Sequence, residues 1–367
     1  MNIFDEYTSA TVASCAQQGI FDGGYEKKTG RLFVKLNQNA SGGFKVMFQN
    51  ITDGTFRRAM PTMANHIIDE WTVSDMRACI YTGDISAPPE KTLQMNGESG
   101  WTDILFCGKK AKYVGPGEFF ETDEFALSGR KGDYLCLEYS FCGGRMPCFE
   151  EVRLPVYVQS DGEWRFDVRM PLPSFIGIKK EKKSRIVYWG DSITQGIGPA
   201  INSYAHWTAV VSELIGEEYA HWNIGIGCGK ARDAATEGAW YYKAKHGDII
   251  FLCFGVNDVN AGFSTEEICK NLDKTVSLLK KHGCRVIVQT LPPFNYTDIK
   301  KERWEAVNEY IRTRMPGKAD RVFDCVPVLG KPGEENIARY GGHPAAEGCR
   351  LWGEALYAAV SDIFTQN

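Results

Sequence analysis

Four short stretches carry the residue types that acyl transfer through an activated serine requires. They are "GDSI" at Gly190–Ile193, "NIGIGCGK" at Asn223–Lys230, "GVND" at Gly255–Asp258 and "GGHP" at Gly341–Pro344. A serine hydroxyl is a weak nucleophile until a base takes its proton, so a histidine must come within hydrogen-bond reach. The tetrahedral intermediate then needs donors aimed at its oxyanion, and backbone N–H groups of a glycine-rich turn or an asparagine amide suit that role. Ser192, His343, the loop around Gly227 and Cys228, and Asn257 supply this set if the fold brings them together. Singly, each has a plainer role. Asp191 and Ser192 suit a helix cap, Asn257 and Asp258 suit a turn, and His343 suits local hydrogen bonding at a helix start. Four plain explanations would have to coincide, so the joint pattern favours the chemical reading.

The elements that must position these residues change texture near residue 180. Before it lie short β-rich runs separated by Gly, Asn, Asp and Pro: "RLFVKL", "FKVMF", "ACIYTG", "DILFCG", "DYLCLEYSF" and "RLPVYVQSDGEWRFDV". Such spacing predicts an all-β sandwich or jelly roll over residues 1–178. Asp161-Gly162 between two strand-like runs predicts a hairpin turn. The lysine-rich run at 179–183 reads as a solvated linker rather than a basic binding patch.

From residue 184 to 367, strands and helices alternate. Strand-like runs are "RIVYWG", "HWNIGI", "DIIFLCFG", "RVIVQTL" and "RVFDCV". Helices are expected near 203–215, 230–245, 264–282 and 299–314. A last one is expected after Pro344, a residue suited to a first helical turn. The alternation predicts a parallel sheet covered by helices on both faces. In such sheets, sites form at the carboxyl ends of the strands, which is where all four stretches fall.

Composition narrows the function classes. Hydrophobic residues make up 43% and charged residues 24% of 367, a globular balance with enough apolar material for more than one core. A net charge of −4 argues against nucleic acid or an anionic membrane surface as partner. Asp5 and Glu6 stand where a secretory signal would carry positive charge, so a cytoplasmic location is expected. Twelve cysteines are too dilute for a disulfide scaffold, no CxxC pair exists, and no histidine near Cys136, Cys142 and Cys148 completes a zinc-type cluster. Reduced, mostly buried cysteines are expected, with no metal. "GIGCGK" fails as a phosphate loop, because Ile224 precedes Gly229 by five and Ala231 follows Lys230. It fails as a dinucleotide fingerprint at Lys230, so no cofactor is expected.

The order GDSI, NxGxG, GxND and a late HP resembles the SGNH, or GDSL-type, family of hydrolases and esterases, over residues 184–367. The resemblance implies a flavodoxin-like three-layer α/β/α sandwich. It implies Ser192 as nucleophile and oxyanion donor through its own N–H, Asn257 as side-chain donor and His343 as general base. Gly190, Asp191, Gly255 and Asp258 become loop-structuring residues. Two positions depart from the family pattern. Cys228, flanked by Gly227 and Gly229, stands where family members carry glycine, so the backbone donor falls to Gly227 or Cys228. Tyr340 stands where the family carries the aspartate that orients the histidine. Some two-domain carbohydrate acetyl esterases of this family, which also carry an N-terminal jelly roll, work as a Ser–His dyad with a backbone carbonyl in that place. Glu334, Glu335 and Asp324 are the other acceptors considered.

The expectation is therefore a serine esterase acting on small, acetyl-type esters of a carbohydrate or other small alcohol. A small-molecule or oligosaccharide ester is the expected partner, with no nucleic acid and no membrane, and homo-oligomerisation is compatible with the sequence. The alternative is a non-catalytic carbohydrate-binding or interaction protein with a degenerate site, and Tyr340 is the feature that sustains it. In the N-terminal part, Trp71, Trp101, Tyr113, Phe119 and Phe120 suit a β-sheet core better than a sugar platform.

Overall fold

The computed structural model of the chain describes residues 2–55, 63–85, 93, 98, 100–333, 338–340 and 342–365. It divides into two compact units. The first comprises Met1–Asp53 and Asn65–Lys182, the second Gly54–Ala64 and Lys183–Asn367. The second thus takes in a stretch from the N-terminal half, which the change of texture near residue 180 does not signal.

The first unit is antiparallel. One sheet orders the strands Thr8–Ser9, Phe175–Ile178, Ala40–Gln49 and Phe119–Glu121, with Phe125–Gly129 also on Ala40–Gln49. A larger sheet orders Glu163–Phe166, Val156–Ser160, Lys28–Lys35, Tyr134–Gly143, Trp71–Tyr81 and Thr102–Asp103, with Ala111–Val114 also on Trp71–Tyr81. Asp161 and Gly162 both take positive φ, 53° and 81°, as a two-residue hairpin turn requires. "DILFCG" departs from expectation, because only Asp103 of it lies in a strand. Its end is a turn held from outside: the N–H groups of Cys107 and Gly108 donate to the two oxygens of Asp123, at 3.0 and 2.7 Å. Trp71 and Phe120 are core residues, while Tyr113 is exposed.

The second unit is built on a five-stranded parallel sheet. Its first strand, Arg185–Gly190, sits between Ala220–Asn223 on one side and Ile249–Cys253 on the other, followed by Arg285–Gln289 and Arg321–Phe323. The chain therefore leaves its first strand in one direction and later returns to the other side of it. That reversal opens a crevice at the carboxyl ends of the central strands. Ile249–Cys253 is buried throughout, which explains its unbroken apolar run.

Helix Thr265–Lys281 shows how the covering layer is specified. Ser264 and Glu267 form a reciprocal capping box, and Glu266 and Glu267 open a helix that Lys280 and Lys281 close. Ile268, Leu272, Val276 and Leu279 fall on one face and are all buried. Each such side chain contributes about 1.5–3 kcal/mol by leaving water. The helix expected over 230–245 is two, Ala231–Ala234 and Ala239–Ala244, the second starting after the extended Gly238. The last long helix, Ala346–Val360, starts after Ala345, so Pro344 lies outside its first turn. Pro344 instead belongs to the short strand His343–Pro344, antiparallel to Ala338–Tyr340.

None of the twelve cysteines is disulfide-bonded, and nine are buried. Among the described residues there is no group of three or more His, Cys, Asp or Glu able to hold a metal ion. Among them, too, no helix is long and apolar enough to cross a membrane.

Candidate active site

The strand Arg185–Gly190 delivers the chain to Asp191, which is extended and caps the short helix Ser192–Gln195, its Oδ1 accepting from the Ile193 N–H at 3.0 Å. Ser192 is the first residue of that helix. Its Oγ lies 2.9 Å from Nε2 of His343, within the reach that proton transfer needs. Two residues 151 positions apart in sequence thus meet. Both are buried, at 8% and 9% exposure, so the pair is withdrawn from bulk water without being sealed. His343 sits on its two-residue strand with Tyr340 as backbone partner. Its ring meets the edge of Phe294, centroids 5.2 Å apart.

The second strand end supplies the glycine-rich loop. Asn223 ties it to the Ser192 helix: its Nδ2 donates to the Thr194 carbonyl at 2.8 Å, and its Oδ1 accepts from the Gly225 N–H at 2.8 Å. The Ile226 N–H donates to the Gly190 carbonyl at 3.1 Å. Gly225 must be glycine, because a Cβ there would stand 2.4 Å from the Gln195 nitrogen. A tight turn then closes from the Gly229 N–H to the Ile226 carbonyl, 3.1 Å. Its third residue, Cys228, has φ of 61°. That position of a turn ordinarily takes glycine, and a side chain there costs about 1–2 kcal/mol. The departure at Cys228 is thus accommodated by backbone strain.

The third strand end brings Asn257. Gly255 turns the chain with φ of 128°, and Asn257 lies in the first turn of helix Val256–Ala261. Its Nδ2 donates to the Gly229 carbonyl at 3.1 Å, which docks it against the glycine loop. An amide nitrogen carries two hydrogens, so a second donor remains. Asp258 is buried and its Oδ2 accepts from the Ala231 N–H at 2.9 Å, fixing the far end of the same loop. Burial pushes Asp191 up to about 7, with the nearby Asp258 adding to the shift. Burial likewise pushes Asp258 up to about 6, with Asp233 adding.

Sequence reasoning missed what holds this loop from behind. Lys230 Nζ donates to the Cys228 carbonyl at 3.2 Å and to the Thr55 carbonyl at 3.3 Å. Asp233 accepts from the Thr55 N–H at 3.1 Å and Oγ1 at 2.9 Å, and from the Lys230 N–H at 3.3 Å. Thr55 lies about 175 positions earlier in the chain, and no local motif marks it. Asn223 could have been found, since it opens the quoted loop. Phe294 offers no signal in sequence.

Of the acceptors considered for His343, Asp324 is engaged elsewhere. Its oxygens accept from Thr290 Oγ1 at 2.9 Å, the Val326 N–H at 3.1 Å and Arg312 Nε at 2.8 Å. Burial opposes its ionisation, but the hydrogen bond from Arg312 prevails and holds it below the usual carboxylate range. Glu334 and Glu335, and the side chain of Tyr340, lie outside the described residues.

The parallel sheet thus brings a serine–histidine contact and an asparagine-docked glycine loop together at its strand ends. Residues 188–351 match the model of the GDSL-like Lipase/Acylhydrolase family. No curated protein matches the chain. Among solved structures, a member of the lipolytic G-D-S-L family from Veillonella parvula is 20% identical, covering 50% of this chain and 99% of its own, with a TM-score of 0.41. A carbohydrate esterase family 3 protein from Talaromyces cellulolyticus is 19% identical, covering 49% and 97%, TM-score 0.40. A lipase/acylhydrolase from Enterococcus faecalis is 21% identical, covering 49% and 96%, TM-score 0.40.

Proposed function

We propose that the chain is a cytoplasmic serine esterase that removes small acyl groups, acetyl foremost, from a carbohydrate or another small alcohol through a Ser192–His343 dyad. The observation that carries this reading is the 2.9 Å contact between Ser192 Oγ and His343 Nε2 at a strand end. Ser192 Oγ attacks the ester carbonyl carbon as His343 Nε2 takes its proton. The oxyanion meets the N–H of Ser192, the backbone N–H groups of Gly227 and Cys228, and the free amide hydrogen of Asn257. His343 then returns the proton to the departing alcohol, leaving an acyl-serine. Water enters, loses a proton to His343 and releases the acid. A backbone carbonyl, in place of the family's aspartate, holds the His343 tautomer. The reading carries with it a three-layer sandwich for the second unit and a jelly roll for the first.

The test is hydrolysis of p-nitrophenyl acetate and butyrate by wild type, Ser192→Ala and His343→Ala. Activity on acetate that falls with chain length and is lost in both variants is the expected result. Wild-type turnover no faster than buffer, or Ser192→Ala equal to wild type, would leave a degenerate site in a binding protein.

A further inference from the structure

The larger antiparallel sheet of the first unit changes character along one face. One end is an apolar cluster of Phe33, Cys79, Tyr81, Tyr134, Cys136 and Tyr157. Two residues further along the strands, the same face turns polar. Arg31, Glu138 and Arg77 lie directly opposite one another on three neighbouring strands. Glu138 accepts from Arg31 Nε through Oε2 at 2.5 Å and from Arg77 Nε through Oε1 at 2.7 Å. The next row pairs Thr29 Oγ1 with Ser140 Oγ at 3.0 Å. Trp164 and Trp101 flank the row: the Arg31 guanidinium stands 4.4 Å from the Trp164 ring centre, and that of Arg77 4.4 Å from Trp101. Over this polar half lies a pocket of about 430 Å³, with Gln159 also in its lining.

Charge and hydrogen-bond arithmetic make this more than a structural ion pair. The side chains of Arg31 and Glu138 are only 10% and 9% exposed. One carboxylate faces two guanidiniums, so the row keeps a surplus positive charge. The lining also carries Lys110, paired with Asp103, and Asp75, whose partner Lys27 lies outside the lining; both pairs are solvent-exposed. Two guanidiniums offer about ten N–H donors, against about four lone-pair sites on one carboxylate. The second guanidinium, Arg77, is 39% exposed and keeps donors that Glu138 does not use. A carboxylate entering the pocket would neutralise the surplus and take planar, paired hydrogen bonds. Thr29, Ser140 and Gln159 would meet hydroxyl groups beside it, and the volume suits one sugar-sized ring.

We propose that this pocket binds a small hydroxylated carboxylate of the sugar-acid type, at a site independent of Ser192. Isothermal titration calorimetry on the full chain tests it, with sodium D-glucuronate, methyl β-D-glucuronide, methyl β-D-glucoside and sodium acetate as probes. Glucuronate should bind at least tenfold more tightly than either the neutral glucoside or acetate. Retained binding of the methyl glucuronide, which keeps the carboxylate but blocks the anomeric hydroxyl, assigns the site to a glycosidically linked residue, and its loss to the unlinked sugar acid. Arg77→Gln and Trp164→Ala should each weaken glucuronate at least tenfold while leaving p-nitrophenyl acetate turnover unchanged, and Ser192→Ala should leave glucuronate binding intact. If Arg77→Gln fails to fold by circular dichroism, Trp164→Ala carries the test. No heat with glucuronate, equal binding of the neutral glucoside, or undiminished binding in folded variants would overturn the proposal.

Discussion

The loop that carries Ser192 and the loop that carries Cys228 leave the ends of neighbouring strands, yet they are held in opposite ways. The Ser192 turn is built largely from its own residues. Asp191 caps it, Ser192 opens the helix, and Gly196 ends it in the left-handed region at φ of 113°. The Cys228 turn is strained at its third residue and leans on side chains brought from elsewhere: Asn257 on the Gly229 carbonyl, Lys230 on the Cys228 carbonyl, and Asp233 anchored on Thr55. A nucleophile can be presented by a few consecutive residues. Donors for a transient charge have to be fixed by the surrounding fold.

Four measurements would break or sharpen that contrast. The largest effect belongs to the locally built side: Ser192→Ala and His343→Ala should each lower kcat on p-nitrophenyl acetate by about 10³-fold or more, with melting temperature nearly unchanged. Weakening the remote support comes next. Thr55→Val removes the hydroxyl that bonds Asp233. It should cost about 1–2 kcal/mol in urea unfolding and lower kcat about tenfold with KM little altered. A change confined to stability would reduce the strap to a structural tie.

The third measurement concerns pH. Asp191 holds its proton to about pH 7 and Asp258 to about pH 6, mainly through burial, whereas an unfolded carboxylate gives it up near pH 4. Across that window the folded chain binds more protons than the unfolded one. Stability should therefore be greatest at the acid end, fall as pH rises from about 4 to about 7, and level off above. Asp191→Asn, which still caps the helix, should flatten the upper part of this slope and gain about 1 kcal/mol or more over wild type at pH 8. A slope unchanged in the variant would show that Asp191 ionises normally. The smallest effect is Cys228→Gly, which should raise stability by about 1 kcal/mol by relieving the positive φ and leave turnover within about twofold.

The same contrast explains how much was legible in sequence. The four strand-end stretches, the alternation after residue 184 and the Asp161-Gly162 hairpin are local patterns, and local patterns survive without knowledge of the partner. "DILFCG" misled because its alternation of size suits a strand, while Asp123 from a later segment bends it into a turn. One helix was expected over 230–245 where Gly238 interrupts the periodicity. The row Arg31–Glu138–Arg77 becomes visible only once three strands are in register. Thr55 and Asp233 are ordinary residues in ordinary surroundings, and nothing short of their meeting marks them.

The Gly54–Ala64 segment bears on how this chain could be divided. By sequence, residues 184–367 look separable, ready to be excised, fused elsewhere or traded between proteins. Yet one tie behind the Cys228 loop is threaded in from residue 55, well before that half begins. Cut at the linker, the C-terminal half would keep Asp233 and lose the backbone and hydroxyl donors that satisfy it. Ribosomal synthesis makes the strap long before the loop it steadies, whose other holds, Asn257 and Asp258, are made only after it. Modular in sequence, the C-terminal half is in this respect a tenant of the chain that precedes it.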